Sequence, residues 1–162
     1  RAAGAETIFA IDLLPDKLEL AAQVGATHLI NASDEDPVAL IKDLLNGVDY
    51  AFESVGNEHV LQQAYAATKR GGTTITIGLP HPGKMFSIPA VSLVAEERTI
   101  KGSYMGSAVP RRDLPRFIAM YEAGLLPVDK LLTRTIQLDE INEAFDALAT
   151  GAAVRQVITF GK

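Results

Sequence analysis

The stretch FAIDLLPDKLELAAQVGATHLIN, residues 9–31, gives the clearest indication of the fold class. It contains an apolar strand that ends in Asp12, then a helix with a periodic apolar face, then a second short strand. We predict a strand over residues 7–12, a helix over 15–24 and a strand over 28–31. A strand, a helix and a strand in this order form the basic unit of parallel α/β sheets.

The rest of the chain continues this alternation of strands and helices. In the segment SDEDPVALIKDLLNG, Asp36 is the expected helix cap, Pro37 the first helical residue, and Asn46 with Gly47 the end. Further strands are predicted over residues 48–55, 73–79, 99–105, 132–138 and 154–160, and further helices over residues 57–69, 91–96, 112–123 and 140–149. The pattern predicts an α/β protein with a Rossmann-like, doubly wound parallel sheet.

The position of Asp12 suggests both a function and a missing element. In doubly wound sheets, an acid at the end of the second strand binds the ribose hydroxyls of adenosine, and a glycine-rich turn precedes it by about 20 residues. Only eleven residues precede Asp12 here. We therefore expect a sheet whose first, central strand is missing, and a longer native polypeptide or a strand supplied by a neighbouring copy. Direct pairing of residues 7–12 with residues 48–55 would contradict this order.

Composition narrows the class of partner. The 162 residues are 48% hydrophobic and 22% charged, with a net charge of −5 and no cysteine. Nucleic-acid binding needs clustered basic residues, and a membrane helix needs about 20 apolar residues in a row. The sequence has neither feature, and it offers no thiolate for a disulfide or a metal. It predicts a cytoplasmic protein that binds neither nucleic acid nor a membrane.

Five segments together resemble the medium-chain, zinc-type alcohol dehydrogenase family. They are AAGAETIFAIDLLPDKLELAAQVGATHLIN, GVDYAFESVGN, RGGTTITIGLP, ERTIKGSYMGS and INEAFDALATGAAVRQVITF. They occur in the family's order and spacing and cover almost the whole chain, which resembles the carboxyl-terminal half of such an enzyme. The resemblance implies the NAD-binding portion of an oxidoreductase. That enzyme would transfer hydride between an alcohol or aldehyde and NAD, with zinc assistance from a domain absent from this sequence.

The resemblance also implies roles for individual residues in binding NAD. Asp12 and Lys17 would bind the adenosine ribose. Ser54, Val55 and Gly56 would lie beside the adenosine and the cofactor ribose, and Ile77, Gly78 and Leu79 beside the nicotinamide. Ser103 and Met105 would bind the nicotinamide carboxamide, and Arg155 the pyrophosphate. Each has an ordinary alternative: a solvated acid or helix cap for Asp12, a surface lysine, tight turns, a strand end, and an outward-facing arginine on a strand. A carboxylate at position 12 would repel a 2′-phosphate, so NAD is favoured over NADP.

No residue of this chain is expected to be catalytic or to bind metal. A catalytic zinc needs about three protein ligands, whereas this chain has no cysteine and three scattered histidines, His28, His59 and His81. Surface or turn positions suit all three. The chain alone is expected to be inactive and to bind NAD weakly or not at all. Leu79 and Tyr104 are its possible contributors to a substrate pocket.

The resemblance also suggests how the chain is organised. Residues 1–133 form the coenzyme-binding domain without its first strand, including the strand over 99–105 and the helix over 112–123. Residues 134–162 form a closing segment that returns toward the absent catalytic domain. Residues 99–105 would lie at the edge of the sheet, where family members pair into homo-oligomers, because an unpaired edge can add a strand from another copy.

Three other functions are weighed against this one. A zinc-free quinone or enoyl reductase of the same superfamily typically prefers NADP, which Asp12 disfavours. A non-catalytic nucleotide-sensing Rossmann module would lack the closing segment INEAFDALATGAAVRQVITF. An S-adenosylmethionine methyltransferase would end its sheet in an antiparallel hairpin, which the sequence does not predict.

Overall fold

The computed structural model describes residues 1–161, which form seven β-strands and six α-helices. The chain divides into two compact units. The first comprises residues 1–33 together with the chain from Pro110 onward, and the second comprises Asp34–Val109.

The first unit contains two β-α-β motifs. In one, β1 (Phe9–Asp12) and β2 (His28–Asn31) lie parallel and are joined by α1 (Pro15–Gln23). In the other, which follows α5 (Pro110–Glu122), the parallel strands are β6 (Leu132–Ile136) and β7 (Arg155–Ile158), joined by α6 (Ile141–Ala149). Each motif buries part of its apolar face, as for Ile30 in β2 and Ile136 in β6.

The second unit is a three-stranded parallel sheet with one helix before its first strand and one helix in each connection. In chain order its elements are α2 (Pro37–Leu45), β3 (Val48–Glu53), α3 (Glu58–Ala67), β4 (Thr68–Thr76), α4 (Ala90–Ala95) and β5 (Thr99–Gly102). The strand order is β3-β4-β5, and both pairs are parallel. All carboxyl ends of these strands therefore lie at the same edge of the sheet.

These pairings confirm the predicted mixed α/β class with parallel sheets. In the described part of the chain β1 pairs with β2, and β3 pairs with β4. The direct pairing of β1 with β3 that would contradict the predicted strand order does not occur among these residues.

The sequence placed several element boundaries incorrectly. The predicted strand over 73–79 begins at Thr68 and ends at Thr76. It starts early because Thr68 already pairs with Val48, and the register shifts between Val48 and Tyr50, so the Gly71-Gly72 pair lies inside the strand. The predicted strand over 99–105 ends at Gly102. Positive φ angles at Met105 (48°) and Ser107 (53°) turn the chain away from an extended course.

No helix in residues 1–161 is long and apolar enough to cross a membrane.

The amino-terminal cap of α2 can be tested directly, because the sequence predicts that Asp36 caps this helix. Asp36 Oδ1 accepts hydrogen bonds from the backbone N–H groups of Val38 (2.9 Å) and Ala39 (3.3 Å), and Pro37 opens the helix. We expect Asp36→Ala to lower the free energy of unfolding by about 1 kcal/mol, because two amides lose their acceptor. Asp36→Ser should retain most of the stability. Urea unfolding of the full-length protein measures both, and equal stability of Ala and Ser variants would contradict the capping role.

Candidate nucleotide-binding site

Asp12 lies at the carboxyl end of β1 and is exposed to solvent. Its Oδ1 accepts hydrogen bonds from the N–H groups of Leu13 (2.8 Å) and Leu14 (3.0 Å). The residue at the cap of α1 is Leu14, which has no side-chain cap, so Asp12 fastens the turn that leads into the helix. These bonds give Asp12 a local structural role, close to the helix-cap alternative that the sequence left open. Among the described residues, no donor bonds to Oδ2, which leaves that oxygen accessible to a ligand.

Lys17 and Arg155 are connected through the segment that precedes β7. Lys17 is half-buried, and its Nζ donates to the carbonyl oxygen of Ala153 at 3.1 Å. The hydroxyl oxygen of Thr133 accepts from the backbone N–H groups of Val154 (2.9 Å) and Arg155 (3.3 Å). The Arg155 side chain is exposed and makes no ion pair within residues 1–161. Helix α1 therefore anchors the chain two residues before the arginine.

In the second unit, Glu53 accepts hydrogen bonds from several predicted site residues, although it was not itself among them. Glu53 ends β3 and is only 1% exposed. Its Oε1 accepts from the N–H groups of Val55 (2.7 Å), Gly56 (2.6 Å) and Asn57 (3.4 Å). Its Oε2 accepts from the hydroxyl of Thr76 at the end of β4, at 3.0 Å. A sequence signal existed: Ala51 and Glu53 alternate with outward-facing residues, so an acid occupies an inward position.

The turns after β3 and β4 are in direct contact. The main-chain oxygen of Glu53 accepts from the N–H groups of Ile77 (2.8 Å) and Gly78 (3.1 Å). A Cβ added at Gly78 would lie 2.1 Å from the nitrogen of Gly56, and one added at Gly56 would lie 2.9 Å from backbone atoms of Leu79. The structure thus brings together two predicted groups, Ser54, Val55 and Gly56 with Ile77, Gly78 and Leu79. Both positions require glycine because backbone meets backbone.

Exposed apolar side chains surround these two turns. Val55, Ile77 and Leu79 are 71%, 45% and 81% exposed. Ligand sites are lined mainly by apolar side chains with a few polar groups that fix orientation, and these two turns present groups of both kinds.

Ser103 and Met105 lie after β5, at the same end of the sheet. The N–H of Ser103 donates to the carbonyl oxygen of Thr76 at 3.0 Å, which joins Ser103 to the end of β4. Met105 is 80% exposed and has φ 48° and ψ 40°, within a short 3-10 turn over Tyr104–Ser107. Ser103 therefore adjoins the β4 end, and Met105 projects from a turn that follows it.

The three histidines occupy separate places and do not form a metal site. Within residues 1–161, no group of three or more His, Cys, Asp or Glu could hold a metal ion. His28 stacks on Phe9, His59 follows the cap of α3, and the Nδ1 atom of His81 accepts from Gly83 N–H. The described residues therefore do not fit a catalytic zinc.

An ion pair fastens the loop after β4 to the start of α3. Lys84 Nζ lies 2.8 Å from Glu58 Oε1, and this hydrogen bond lowers the pKa of Glu58. Glu58 directly follows Asn57, the cap of α3, whose Oδ1 accepts hydrogen bonds from the N–H groups of His59 and Val60. It restrains the loop that begins at the end of β4.

Comparison with known proteins places this geometry in a family. Residues 1–123 match the model of the zinc-binding dehydrogenase family. Alcohol dehydrogenase 1 of Cenchrus americanus is 36% identical over 98% of this chain, and S-(hydroxymethyl)glutathione dehydrogenase of Paracoccus denitrificans is 36% identical over 99%. The chain spans 42% and 45% of these relatives, less than half their length.

A solved structure gives the same result for the fold. The crystal structure of benzyl alcohol dehydrogenase from Acinetobacter calcoaceticus superposes with a TM-score of 0.93 at 34% identity, covering 98% of this chain and 44% of that one. The family match extends over three quarters of the sequence and includes β1 to β5 with both turns described above. The chain is therefore a member of the zinc-binding dehydrogenase family.

Proposed function

We propose that this chain is the NAD-binding part of an oxidoreductase that transfers hydride between an alcohol or aldehyde and NAD. The observation that carries the proposal is the free Oδ2 of Asp12 at the carboxyl end of β1, in a chain of this family. Ligands of open parallel sheets bind outside the carboxyl ends of the strands. When bound, NAD accepts the hydride, and this chain's residues bind and orient it.

Asp12 would accept hydrogen bonds from the ribose hydroxyls of the adenosine. Its Oδ1 is held in place by two backbone amides, so the carboxylate meets the diol with its geometry already set. Leu13 and Leu14 follow it, where an NADP-binding site would offer an arginine. Charge repulsion of a 2′-phosphate by Asp12 favours NAD over NADP.

Two cations would serve the same nucleotide. Lys17 uses one of its three ammonium donors on Ala153 and keeps the others for the adenosine ribose. Arg155 is exposed, and a planar guanidinium suits the oxygens of a pyrophosphate. The Lys17 contact with Ala153 supports this assignment, because it restrains the segment from which Arg155 extends.

The turns after β3, β4 and β5 would bind the remainder of the dinucleotide. Their candidates are Ser54, Val55 and Gly56 near the adenosine and the cofactor ribose, Ile77, Gly78 and Leu79 near the nicotinamide, and Ser103 and Met105 at the carboxamide. The support is that the first two turns touch, while the third is hydrogen-bonded to the β4 end. Leu79 and Tyr104, both largely exposed, would contribute to the substrate pocket.

Four further properties of the protein are predicted from the sequence alone. Zinc assistance rests on the family alone, because the described residues form no metal site. The other three are a domain boundary at residue 133, a cytoplasmic location and the pairing of copies through the β5 edge.

The function is tested by titrating NADH and NADPH into the full-length protein, including any segments that lie outside residues 1–162, and following nicotinamide fluorescence. We expect saturable NADH binding, NADPH weaker by about tenfold or more from the like charge at position 12, and alcohol-dependent reduction of NAD. Preference for NADPH would favour a quinone reductase, and NADH binding without turnover of any alcohol or aldehyde would favour a nucleotide-sensing module. Absence of binding to both nucleotides would overturn the proposal.

A further inference from the structure

Glu53 is a buried acid at an inward-facing position of β3, where the alternation of the strand predicts an apolar core residue. Its neighbour at the same face, Ala51, is also buried, and Glu53 is 1% exposed. Burying a charged group is costly unless every lone pair that faces the protein has a donor. All four side-chain partners of Glu53 are donors: three backbone N–H groups and one hydroxyl.

The two carboxylate oxygens serve two different elements. Oε1 holds the turn after β3, through Val55, Gly56 and Asn57, and Oε2 holds Thr76 at the end of β4. The main-chain oxygen of the same residue accepts from Ile77 and Gly78. One residue thus sets the position of both turns that adjoin the exposed Val55, Ile77 and Leu79.

Helix capping does not account for this arrangement. The start of α3 is capped by Asn57, whose Oδ1 accepts from His59 (2.8 Å) and Val60 (3.3 Å). The strands are also paired by their own backbone ladder, in register from Tyr50 with Thr73 to Glu53 with Thr76. The Glu53 side chain therefore adds bonds beyond the cap and the ladder, to the turn after β3 and to the last residue of β4.

We infer that Glu53, through its bond to Thr76, is a positioning residue that fixes the adjoining turn 77–79 for the nicotinamide half of the dinucleotide. This inference rests on the proposed function. It requires that breaking the Glu53–Thr76 bond weakens NADH binding while leaving 5′-AMP binding, which lacks the nicotinamide half, unchanged.

Thr76→Val is the informative variant because it keeps the side-chain shape and removes only the hydroxyl. We expect the Kd of the full-length protein for NADH to rise about tenfold, with the Kd for 5′-AMP within about twofold of wild type. Thr76→Ser, which restores the hydroxyl, should recover most of the NADH affinity. Thr73→Val makes the same change on the same strand, at a residue whose side chain has no hydrogen bond within residues 1–161, and it should bind both ligands normally.

Glu53→Gln provides a second route to the same result. The amide oxygen can still accept from Val55 and Gly56, while the amide nitrogen faces Thr76, so neutral bonds replace stronger charge-assisted ones. We expect NADH affinity between those of wild type and Thr76→Val, with 5′-AMP affinity retained.

The possible results distinguish a failure of the proposed NAD-binding function from a failure of the role assigned to Glu53. Wild-type protein that does not bind NADH overturns the proposed function and this inference together. Wild-type protein that binds NADH, with Thr76→Val binding it equally well, overturns the inference alone. Equal loss of NADH and 5′-AMP affinity in Thr76→Val, with a lower melting temperature, would assign Glu53 and Thr76 to stability only and would also overturn it.

Discussion

Asp12→Ala should raise the Kd of the full-length protein for NADH about 100-fold. Hydrogen bonds to a charged group contribute about 1.5–3 kcal/mol, and a loss of about 2.8 kcal/mol corresponds to 100-fold in affinity. The same variant should bind NADPH no worse than wild type, because the repulsion of the 2′-phosphate disappears with the carboxylate. The ratio of the Kd for NADPH to the Kd for NADH should therefore fall. Fluorescence titration of both, in parallel, measures the effect.

Two further variants separate ribose binding from support of the turn. Asp12→Asn keeps an oxygen that can accept from Leu13 and Leu14, so the turn should persist while the charge is lost. Its NADH affinity should lie between wild type and Asp12→Ala. Asp16→Ala removes an exposed acid from the first turn of α1 and should leave affinity unchanged. Asp12→Ala with wild-type affinity for NADH would show that this carboxylate only fastens the turn.

Gly78→Ala should lower the free energy of unfolding by about 3 kcal/mol, at the upper end of the cost of overpacking. The added Cβ would lie 2.1 Å from the nitrogen of Gly56 and 2.7 Å from its Cα, and neither atom is the end of a flexible side chain. The turns after β3 and β4 would have to separate, which would also strain the bonds from Ile77 and Gly78 to the Glu53 carbonyl. Urea unfolding of the full-length protein gives the magnitude.

Gly102→Ala is the matched control for this substitution. Gly102 lies in β5 of the same sheet, its φ is not positive, and a Cβ there meets no atom within 4 Å. We expect its unfolding free energy within about 0.5 kcal/mol of wild type. Equal effects of the two substitutions would contradict the close approach of the Gly56 and Gly78 backbones.

Local chemistry explains why some elements were predicted accurately. Helix α2 begins at Pro37 after the Asp36 cap and ends before Asn46, as the sequence indicated, because cap, first-turn proline and left-handed asparagine are adjacent in sequence. The predicted start of β4 was wrong because long-range pairing set it, whereas the predicted end of β5 was wrong because positive φ angles at Met105 and Ser107 turn the chain. Thr68 joined β4 by pairing with Val48, twenty residues earlier in the chain.

The candidate site was predicted residue by residue, but its internal support was not. Glu53 was overlooked because an acid at an inward strand position has no local partner to justify it. The Thr76 hydroxyl that donates to Glu53 lies 23 residues further along the chain. The Ala153 carbonyl that accepts from Lys17 lies 136 residues from it. Such bonds exist only once the strands and helices have packed.

The sequence by itself determined the order of strands and helices, the acid at the end of β1 and the glycine positions, since periodicity, caps and turn residues act over a few neighbours. The two bonds that Asp12 accepts from Leu13 and Leu14 are likewise local, whereas the tertiary structure alone decided that Thr76 meets the Glu53 carboxylate. It also decided that Gly56 and Gly78 meet and that a buried Glu53 joins two turns. The physical reason is that parallel strands bring their carboxyl ends to one edge, where residues distant in sequence supply each other's hydrogen bonds.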